Sequence, residues 1–215
     1  MNTRWLGALV IAGMAIFTLV VYGSLPETIP THWNVRGEVD GWSSRTWGAW
    51  LMPLIAAGLW LLLPLLRKVD PRRRNYERFD GTFWLIVNIL VVFMAAMHVL
   101  SLGAALGWAV DMTRSVMVMM GLLFITLGNF LPRVRSNWWM GIRTPWTLES
   151  EAVWRSTHRL AGFMFVGAGI VMVVSALLPT ELSFALGLAA AMAAGFIPVV
   201  YSYIAYRRER SAPQV

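Results

Sequence analysis

The stretch GNFLPRVRSNWWMGIRTPWTLESEAVWRSTHRLAG, residues 128–162, lies between two strongly apolar segments. Its five arginines make it too polar for the interior of a bilayer, and its four tryptophans make it too aromatic for a solvated linker. Tryptophan favours the membrane–water boundary, and arginine favours the anionic headgroups of the cytoplasmic leaflet. The stretch therefore predicts a structured loop against the inner membrane surface.

Single residues predict where this stretch bends. Pro132 cannot donate a backbone hydrogen bond, so it is expected to end the preceding helix. Gly141 permits a chain reversal among bulky neighbours, and Thr144 is expected to be extended because Pro145 follows it. These positions predict a folded loop, here called the signature loop (residues 132–159).

A short amphipathic helix is expected in the second half of the signature loop. Thr147 has a side chain suited to an N-cap. Glu149 and Glu151 would then lie in the first turns, where the helix dipole favours acidic side chains. Apolar and small residues recur at three-to-four spacing over positions 153–161, which is the helical period.

The rest of the chain has the composition of a polytopic membrane protein. Of its 215 residues, 58% are hydrophobic and 13% charged. Several apolar runs are long enough to cross a hydrocarbon core of about 30 Å. We expect an all-α integral membrane protein, a single membrane domain over residues 1–215 with six transmembrane helices. The predicted spans are residues 5–22, 50–66, 83–102, a fourth that ends at 131, 160–178 and 182–205.

The residue types that are absent narrow the chemistry. The sequence contains no cysteine, which excludes disulfides, thiolate metal sites and cysteine nucleophiles. It also lacks a metal-binding doublet, a phosphate loop and a nucleophile elbow. We predict no cofactor, no metal and no catalytic residue.

Positive charge predicts the orientation. With six spans, both termini, the basic loop (residues 67–81) and the signature loop share one side, which carries 15 of the 18 lysines and arginines. Such residues collect in cytoplasmic loops, so an N-in/C-in topology is predicted and the loop at residues 24–48 faces outward. The net charge of +7 is attributed to contact with anionic lipid, not to direct nucleic-acid binding.

The predicted extracytoplasmic loop, residues 24–48, holds the candidate ligand-binding residues His32, Asn34 and Asp40. Its prolines and glycines exclude a long helix. A histidine and a carboxylate can share a divalent ion, while Asn34 and Asp40 can instead bond their own backbone in a packed turn. A compact loop that binds a peptide is the third reading, and we favour it over a metal site.

Other polar and small residues carry weaker expectations. The six basic residues of the basic loop predict a cytoplasmic anchor or, alternatively, a dock for an acidic partner. Asn88 is expected to bond a neighbouring helix. His98 is expected either to be solvated at the outer interface or to serve ligand binding or proton transfer. Gly187 and Gly195, with Ala191 between them, predict a smooth face for close helix packing.

Two groups of residues resemble known families. The first resembles the signature of the SdpI family of small bacterial integral membrane proteins. It comprises Gly128, Asn129, Pro132, Asn137, residues 141–148, Glu151, Val153, Trp154, Thr157, His158 and Arg159. The second resembles an uncharacterised domain that often begins such proteins. It comprises Leu25, Pro26, Ile29, Pro30, His32, Trp33, Asn34, Gly37, Asp40 and Trp42.

The resemblance implies a membrane immunity protein of the bacterial cytoplasmic membrane. Such a protein would protect against a secreted peptide toxin on the outer side and relay its presence by binding a cytosolic autorepressor. The partner-binding or loop-structuring residues carried over are Asn137, Gly141, Arg143, Thr144, Pro145, Trp146, Trp154 and His158. Arg143 would hold a carboxylate of the partner or, equally, tie the loop together through Glu149 or Glu151.

Two other functions stay open at the level of sequence. An enzyme would use His158 and Glu151, which lie two helical turns apart on one face. A small membrane transporter would use Asn88, His98 and Asn129 as polar residues within the membrane.

Overall fold

The computed structural model describes residues 3–211, in which six long helices are joined by one short helix and one β-hairpin. All six long helices have the length and composition of membrane spans, which confirms the predicted fold class. The protein is a multi-pass membrane protein. The helices are α1 Leu6–Val21, α2 Arg45–Val69, α3 Asp80–Ala105, α4 Met112–Phe130, the short α5 Pro145–Glu149, α6 Glu151–Ser175 and α7 Thr180–Ser211.

The loop between α1 and α2 forms a β-hairpin, whereas only a compact loop was expected there. Strand β1 (Thr28–Trp33) pairs antiparallel with β2 (Val39–Ser44). The turn contains Gly37 at a φ of 80°, a left-handed conformation that glycine adopts without a steric penalty. Ile29 is fully buried and packs with Leu25 against one end of α2 and α3, which fixes the hairpin to the helices.

The basic loop and the signature loop meet at the opposite end of the bundle. Asp80, the first residue of α3, accepts hydrogen bonds from Arg4, at 3.1 Å, and from Arg67 at the end of α2. A 3-10 helix, Arg73–Phe79, leads into α3 and contributes to an aromatic core cluster. That cluster also contains Trp154 of α6, so α2, α3 and α6 are joined at this end.

Helix α6 packs along both α4 and α7. Its contact with α4 depends on glycine, because a Cβ at Gly128 would lie 2.8 Å from the carbonyl oxygen of Gly162, and the reverse also holds. On α7 the predicted small-residue face is only partly correct. Gly187 packs against Met117, whereas Gly195 is exposed and a Cβ there would meet nothing within 4 Å.

The predicted boundaries at the signature loop are partly wrong. Helix α4 ends at Phe130, just before Pro132, as expected. However, Thr144 and not Thr147 is the N-cap, because the Thr144 side chain accepts from the Thr147 amide. Glu149 ends α5, and α6 begins at Glu151 and continues without a break into the membrane span. The predicted amphipathic helix is therefore the first part of α6.

Candidate functional site

The first half of the signature loop is wrapped around the side chain of Asn137, which is fully buried. Its Oδ1 accepts hydrogen bonds from the amides of Trp139, at 2.9 Å, and Met140, at 2.7 Å. Its Nδ2 donates to the carbonyl oxygens of Arg135 and Met140 at 2.8 and 3.0 Å. One amide side chain thus satisfies four backbone groups of the loop, which an apolar residue could not do.

Residues of the basic loop hold the signature loop from outside. Buried Asp70 accepts hydrogen bonds from the Trp138 amide at 2.9 Å and from the Tyr76 hydroxyl at 2.8 Å. The same hydroxyl lies 3.1 Å from Asn137 Oδ1. Arg72 donates to Ser136 and to the carbonyl oxygen of Leu148. The prediction of a simple membrane anchor is therefore incomplete, since part of the basic loop is structural.

Gly141 and His158 form a second fixed point. Gly141 has a φ of 102°, and a Cβ there would overlap His158 Nε2. That nitrogen accepts from the Ile142 amide at 3.0 Å, while Nδ1 lies 2.8 Å from the carbonyl oxygen of Trp154. A carbonyl only accepts, so Nδ1 carries the hydrogen and the ring is neutral. His158 thus fixes the chain reversal predicted at Gly141.

Trp154 is a core residue and not a membrane-interface anchor. Its side chain is 1% exposed, stacks on His158 with ring centroids 4.1 Å apart, and donates from Nε1 to the Val134 carbonyl oxygen at 2.8 Å. In contrast, Trp138 and Trp139 are 48% and 41% exposed. The four tryptophans of the stretch therefore have different roles, and the interfacial prediction is wrong for Trp154.

The second half of the loop is tied to the last helix. The hydroxyls of Thr144 and Ser202 lie 3.1 Å apart, both buried. Thr144 and Thr147 form a reciprocal capping box at the start of α5. Trp146 packs against Tyr203 of α7 with ring centroids 5.0 Å apart. These contacts fix Pro145 at the first position of α5, where its missing N–H has no consequence.

Arg143 does not pair with the acids proposed from sequence. Its Nη1 donates to the Trp138 carbonyl oxygen at 2.9 Å. Glu149 instead accepts from Tyr206, at 2.6 Å, and Arg210, at 3.0 Å. Glu151 pairs with Arg155 at 3.6 Å. Arg143 is exposed and belongs to the loop surface together with Trp138 and Trp139.

The hairpin at the other end brings the three predicted ligand residues onto one exposed element. His32 Nδ1 lies 2.5 Å from Asp40 Oδ1, and both side chains are substantially exposed. Asn34 Oδ1 accepts from the backbone amides of Arg36 and Glu38. The packed-turn reading is thus correct for Asn34, whereas Asp40 bonds His32. Within residues 3–211, no group of three or more histidine and acidic side chains is placed to hold a metal ion.

The charge of the hairpin turn is carried by Arg36 and Glu38. The Asn34 amide donates to Glu38 Oε2 at 2.8 Å, and the Arg36 guanidinium donates to the same oxygen at 3.1 Å. These two bonds hold the pKa of the Glu38 carboxyl below its usual value. Glu38 therefore stays ionised to lower pH than an isolated glutamate.

The three polar residues singled out within the membrane spans differ in their surroundings. His98 is fully buried in α3, with its Nε2 2.9 Å from the Thr18 hydroxyl of α1, so the expectation of a solvated histidine is wrong. Asn88 is also buried. Asn129 donates to the carbonyl oxygen of Ile125, one turn earlier in its own helix.

Comparison with known proteins matches the two predicted segments. Residues 133–202 match the model of the SdpI/YfhL protein family, and residues 9–57 match a domain of unknown function, DUF1648. The resemblance to the SdpI family is confirmed. The chain is also similar to Immunity protein SdpI of Bacillus subtilis (strain 168), with 22% identity over 191 residues and 89% of each chain covered. No solved structure matches.

The matched segments leave out the residues that clamp the signature loop. Asp70, Arg72 and Tyr76 lie in residues 58–132, between the two family models. An inference from the two motifs alone could not identify these three residues. The signal available in the sequence was three acidic residues and a tyrosine within an arginine-rich loop, a combination that a pure lipid anchor does not require.

Proposed function

We propose that this chain is an immunity protein of the bacterial cytoplasmic membrane that protects its cell against a secreted peptide toxin. The observation that carries the proposal is the similarity to Immunity protein SdpI, which extends over 89% of both chains. That similarity spans the hairpin and the signature loop together. The hairpin faces outward in this proposal, and both termini lie in the cytoplasm.

The hairpin supports a sensing role at the outer surface. His32 and Asp40 are exposed, bond each other and are held on a strand pair whose buried side is fixed by Ile29. A rigid support with accessible polar side chains lowers the entropic cost of binding, because little has to be ordered when a ligand arrives. Asn34 fixes the turn and contributes to the same surface.

The signature loop supports a relay role at the cytoplasmic surface, where it would hold an autorepressor. Four of the eight residues carried over from the family, Asn137, Thr144, Trp154 and His158, are buried and structure the loop, whereas Arg143 is accessible, as are its neighbours Trp138 and Trp139. Between the basic loop and the end of the signature loop lies a groove of about 510 Å³, with Lys68, Arg73 and Arg74 among its lining residues. Exposed arginine and tryptophan are the residue types enriched at protein interfaces.

The contacts of the residues proposed for catalysis or transport favour neither an enzyme nor a transporter. Both ring nitrogens of His158 have backbone partners, and Glu151 lies beside Arg155 instead. His98 and Asn129 bond Thr18 and Ile125 respectively and do not converge on one site.

Expression in a sensitive bacterium tests the proposal. Cells that carry the chain at verified membrane abundance should survive at least one member of a panel of secreted peptide toxins, while cells with the empty vector should not. For the relay role, a fluorescent autorepressor of an SdpI-type system supplied in the same cell should move to the membrane on toxin exposure. Absence of protection across the panel would overturn the immunity assignment, and an autorepressor that stays cytosolic would overturn the relay.

A further inference from the structure

A cavity of about 390 Å³ lies directly beneath the hairpin, between the helices. Its lower walls come from α2, α3, α4, α6 and α7. Its mouth is formed by residues 31–34, which are the end of β1 and the residue that follows it. On α4 it extends from Met112 to Met120, which corresponds to a depth of about 12 Å at the helical rise. Pockets of about 300 to 1,000 Å³ are the usual size for ligand sites in proteins.

Methionine dominates the walls of this cavity. Six of the thirteen methionines of the chain line it, namely Met52, Met97, Met112, Met117, Met120 and Met172. Methionine is unbranched and polarisable, so a wall of methionines can adapt to apolar side chains of different shape. Such walls are typical of surfaces that accept varied apolar peptides.

Polar side chains lie at the mouth of the cavity. His32 and Asn34 lie at the rim with Thr31 and, from α4, Thr113. Strand β1 lines the cavity and β2 does not, and in a two-stranded sheet each strand has one edge without a strand partner. An extended peptide can bond such an edge through its own backbone. A lipid acyl chain would make no use of these groups.

The charge of the whole outer face favours one sign of the occupant. In the proposed orientation, the outer face carries five acidic residues and three arginines. The acids are Glu27, Glu38, Asp40, Asp111 and Glu181, and the arginines are Arg36, Arg45 and Arg114. A surface with a net negative charge attracts cationic ligands and disfavours anionic lipid headgroups.

We propose that this cavity holds the apolar segment of a cationic peptide, with the positive residues of that peptide against the hairpin. The inference rests on the proposed function and names the place where the toxin would be bound. Apolar side chains would fill the space between α4 and α7, and the peptide backbone would run along β1. His32 and Asp40 would then contact the polar part of the peptide at the rim.

Photo-crosslinking on the full-length protein tests the site without knowledge of the natural toxin. The photoreactive residue p-benzoylphenylalanine replaces Val116, in the cavity wall, or Val200, which is 60% exposed on the outside of α7. The protein is placed in phosphatidylcholine nanodiscs, so that the lipid adds no net charge. The probes are two biotinylated peptides with the same leucine-rich segment, one preceded by three lysines and the other by three glutamates.

We expect the lysine probe to crosslink at position 116 about tenfold more than the glutamate probe, and more than at position 200. A tenfold ratio corresponds to about 1.4 kcal/mol, which a few surface charges at short range can supply. The proposal would be overturned if both probes labelled the protein equally or if both positions were labelled equally. Labelling of position 116 by lipid alone would also overturn it.

A protection assay separates failure of the site from failure of the function. Val116→Trp and, from the opposite wall, Leu188→Trp should fill the cavity and reduce protection at least tenfold, whereas Val200→Trp should protect as the wild type does. All variants are compared at equal membrane abundance. If both cavity variants protect fully, the site is wrong and the immunity function stands. If the wild type protects against none of the toxins, the proposed function is wrong. The crosslinking result alone then tests whether the cavity binds a cationic peptide.

Discussion

The two ends of this protein use their polar side chains in opposite ways. In the signature loop, Asn137, Asp70 and His158 are buried and use their polar atoms to hold backbone groups in place. In the hairpin, His32 and Asp40 use their polar atoms on each other, at an exposed surface. Loss of a buried partner leaves unsatisfied groups behind, whereas loss of an exposed one leaves groups that water can serve. The first end should therefore respond to mutation through stability and the second through binding.

The largest expected effect concerns which end faces the cell exterior. Single cysteines in this cysteine-free chain report it, and both Val35, at the hairpin turn, and Ala152, at the start of α6, are exposed. Val35→Cys should react with an impermeant maleimide in intact cells, and Ala152→Cys should react only after lysis. The expected difference is all or none. The reverse pattern would exchange the sensing and relay ends.

Asn137→Ala should show the next largest effect. The substitution removes the acceptor of two backbone amides and a donor to two carbonyls in a buried site. We expect the free energy of unfolding to fall by about 3 kcal/mol or more, since each unsatisfied buried group costs roughly 1 to 3 kcal/mol. Thermal unfolding in detergent and membrane abundance are the measurements.

Asn129→Ala is the matched control for that variant. Asn129 is exposed on α4, and its side chain donates to the Ile125 carbonyl oxygen of the same helix. Its loss should change stability by less than about 0.5 kcal/mol. If the two alanine substitutions reduced stability equally, Asn137 would have no special role in holding the signature loop in its folded conformation.

The double variant His32→Ala and Asp40→Ala should produce the opposite pattern. A bond between two exposed side chains contributes about 0 to 1 kcal/mol, so abundance and unfolding temperature should change little. Protection against the toxin should nevertheless fall severalfold. Glu27→Ala, which removes an exposed acid beside the hairpin, separates loss of the His32–Asp40 contact from loss of one negative surface charge. A double variant that unfolds as readily as Asn137→Ala would show that the hairpin is a structural element.

Arg143→Ala should also have only a small effect on stability. Its guanidinium makes one exposed hydrogen bond, to Trp138, so unfolding should change by less than about 1 kcal/mol. Capture of the autorepressor should weaken, and Arg143→Lys should restore it only in part, because an ammonium cannot form two parallel bonds to a carboxylate. Arg135→Ala, an exposed arginine of the same loop, is the control. Unchanged capture with Arg143→Ala would exclude this residue from the partner surface.

The hairpin shows why local signals can be missed in a membrane protein. Residues 28–33 are rich in β-branched and aromatic residues and precede a short segment with asparagine and glycine, a pattern typical of a hairpin. Residues 39–44 contain only two such residues, and the prolines of the loop indicate only that a helix is excluded. Pro30 is nevertheless accommodated within β1, where it pairs with Trp42, because a two-stranded sheet consists of edge strands only.

The spans and the turns of the signature loop were determined by the sequence itself. Six helices long and apolar enough for a bilayer, the helix end before Pro132, the reversal at Gly141 and the extended Thr144 all appear as expected. These features follow from the length of an apolar run and from the sterics of proline and glycine. Both causes act within a few neighbouring residues, so they can be recognised without knowledge of the fold.

The roles of individual polar side chains were decided only by the tertiary structure. Tyr76 meets Asn137 across 61 positions of sequence, and Thr18 meets His98 across 80. Glu149 lies near Arg143 in the sequence, yet the fold pairs this acid with Arg210, 61 positions away. Whether a side chain is buried depends on which distant segments pack around it, and no local rule contains that information. The physical reason is that hydrogen bonding and desolvation are settled by three-dimensional neighbours, whereas spans and turns are settled by the chain itself.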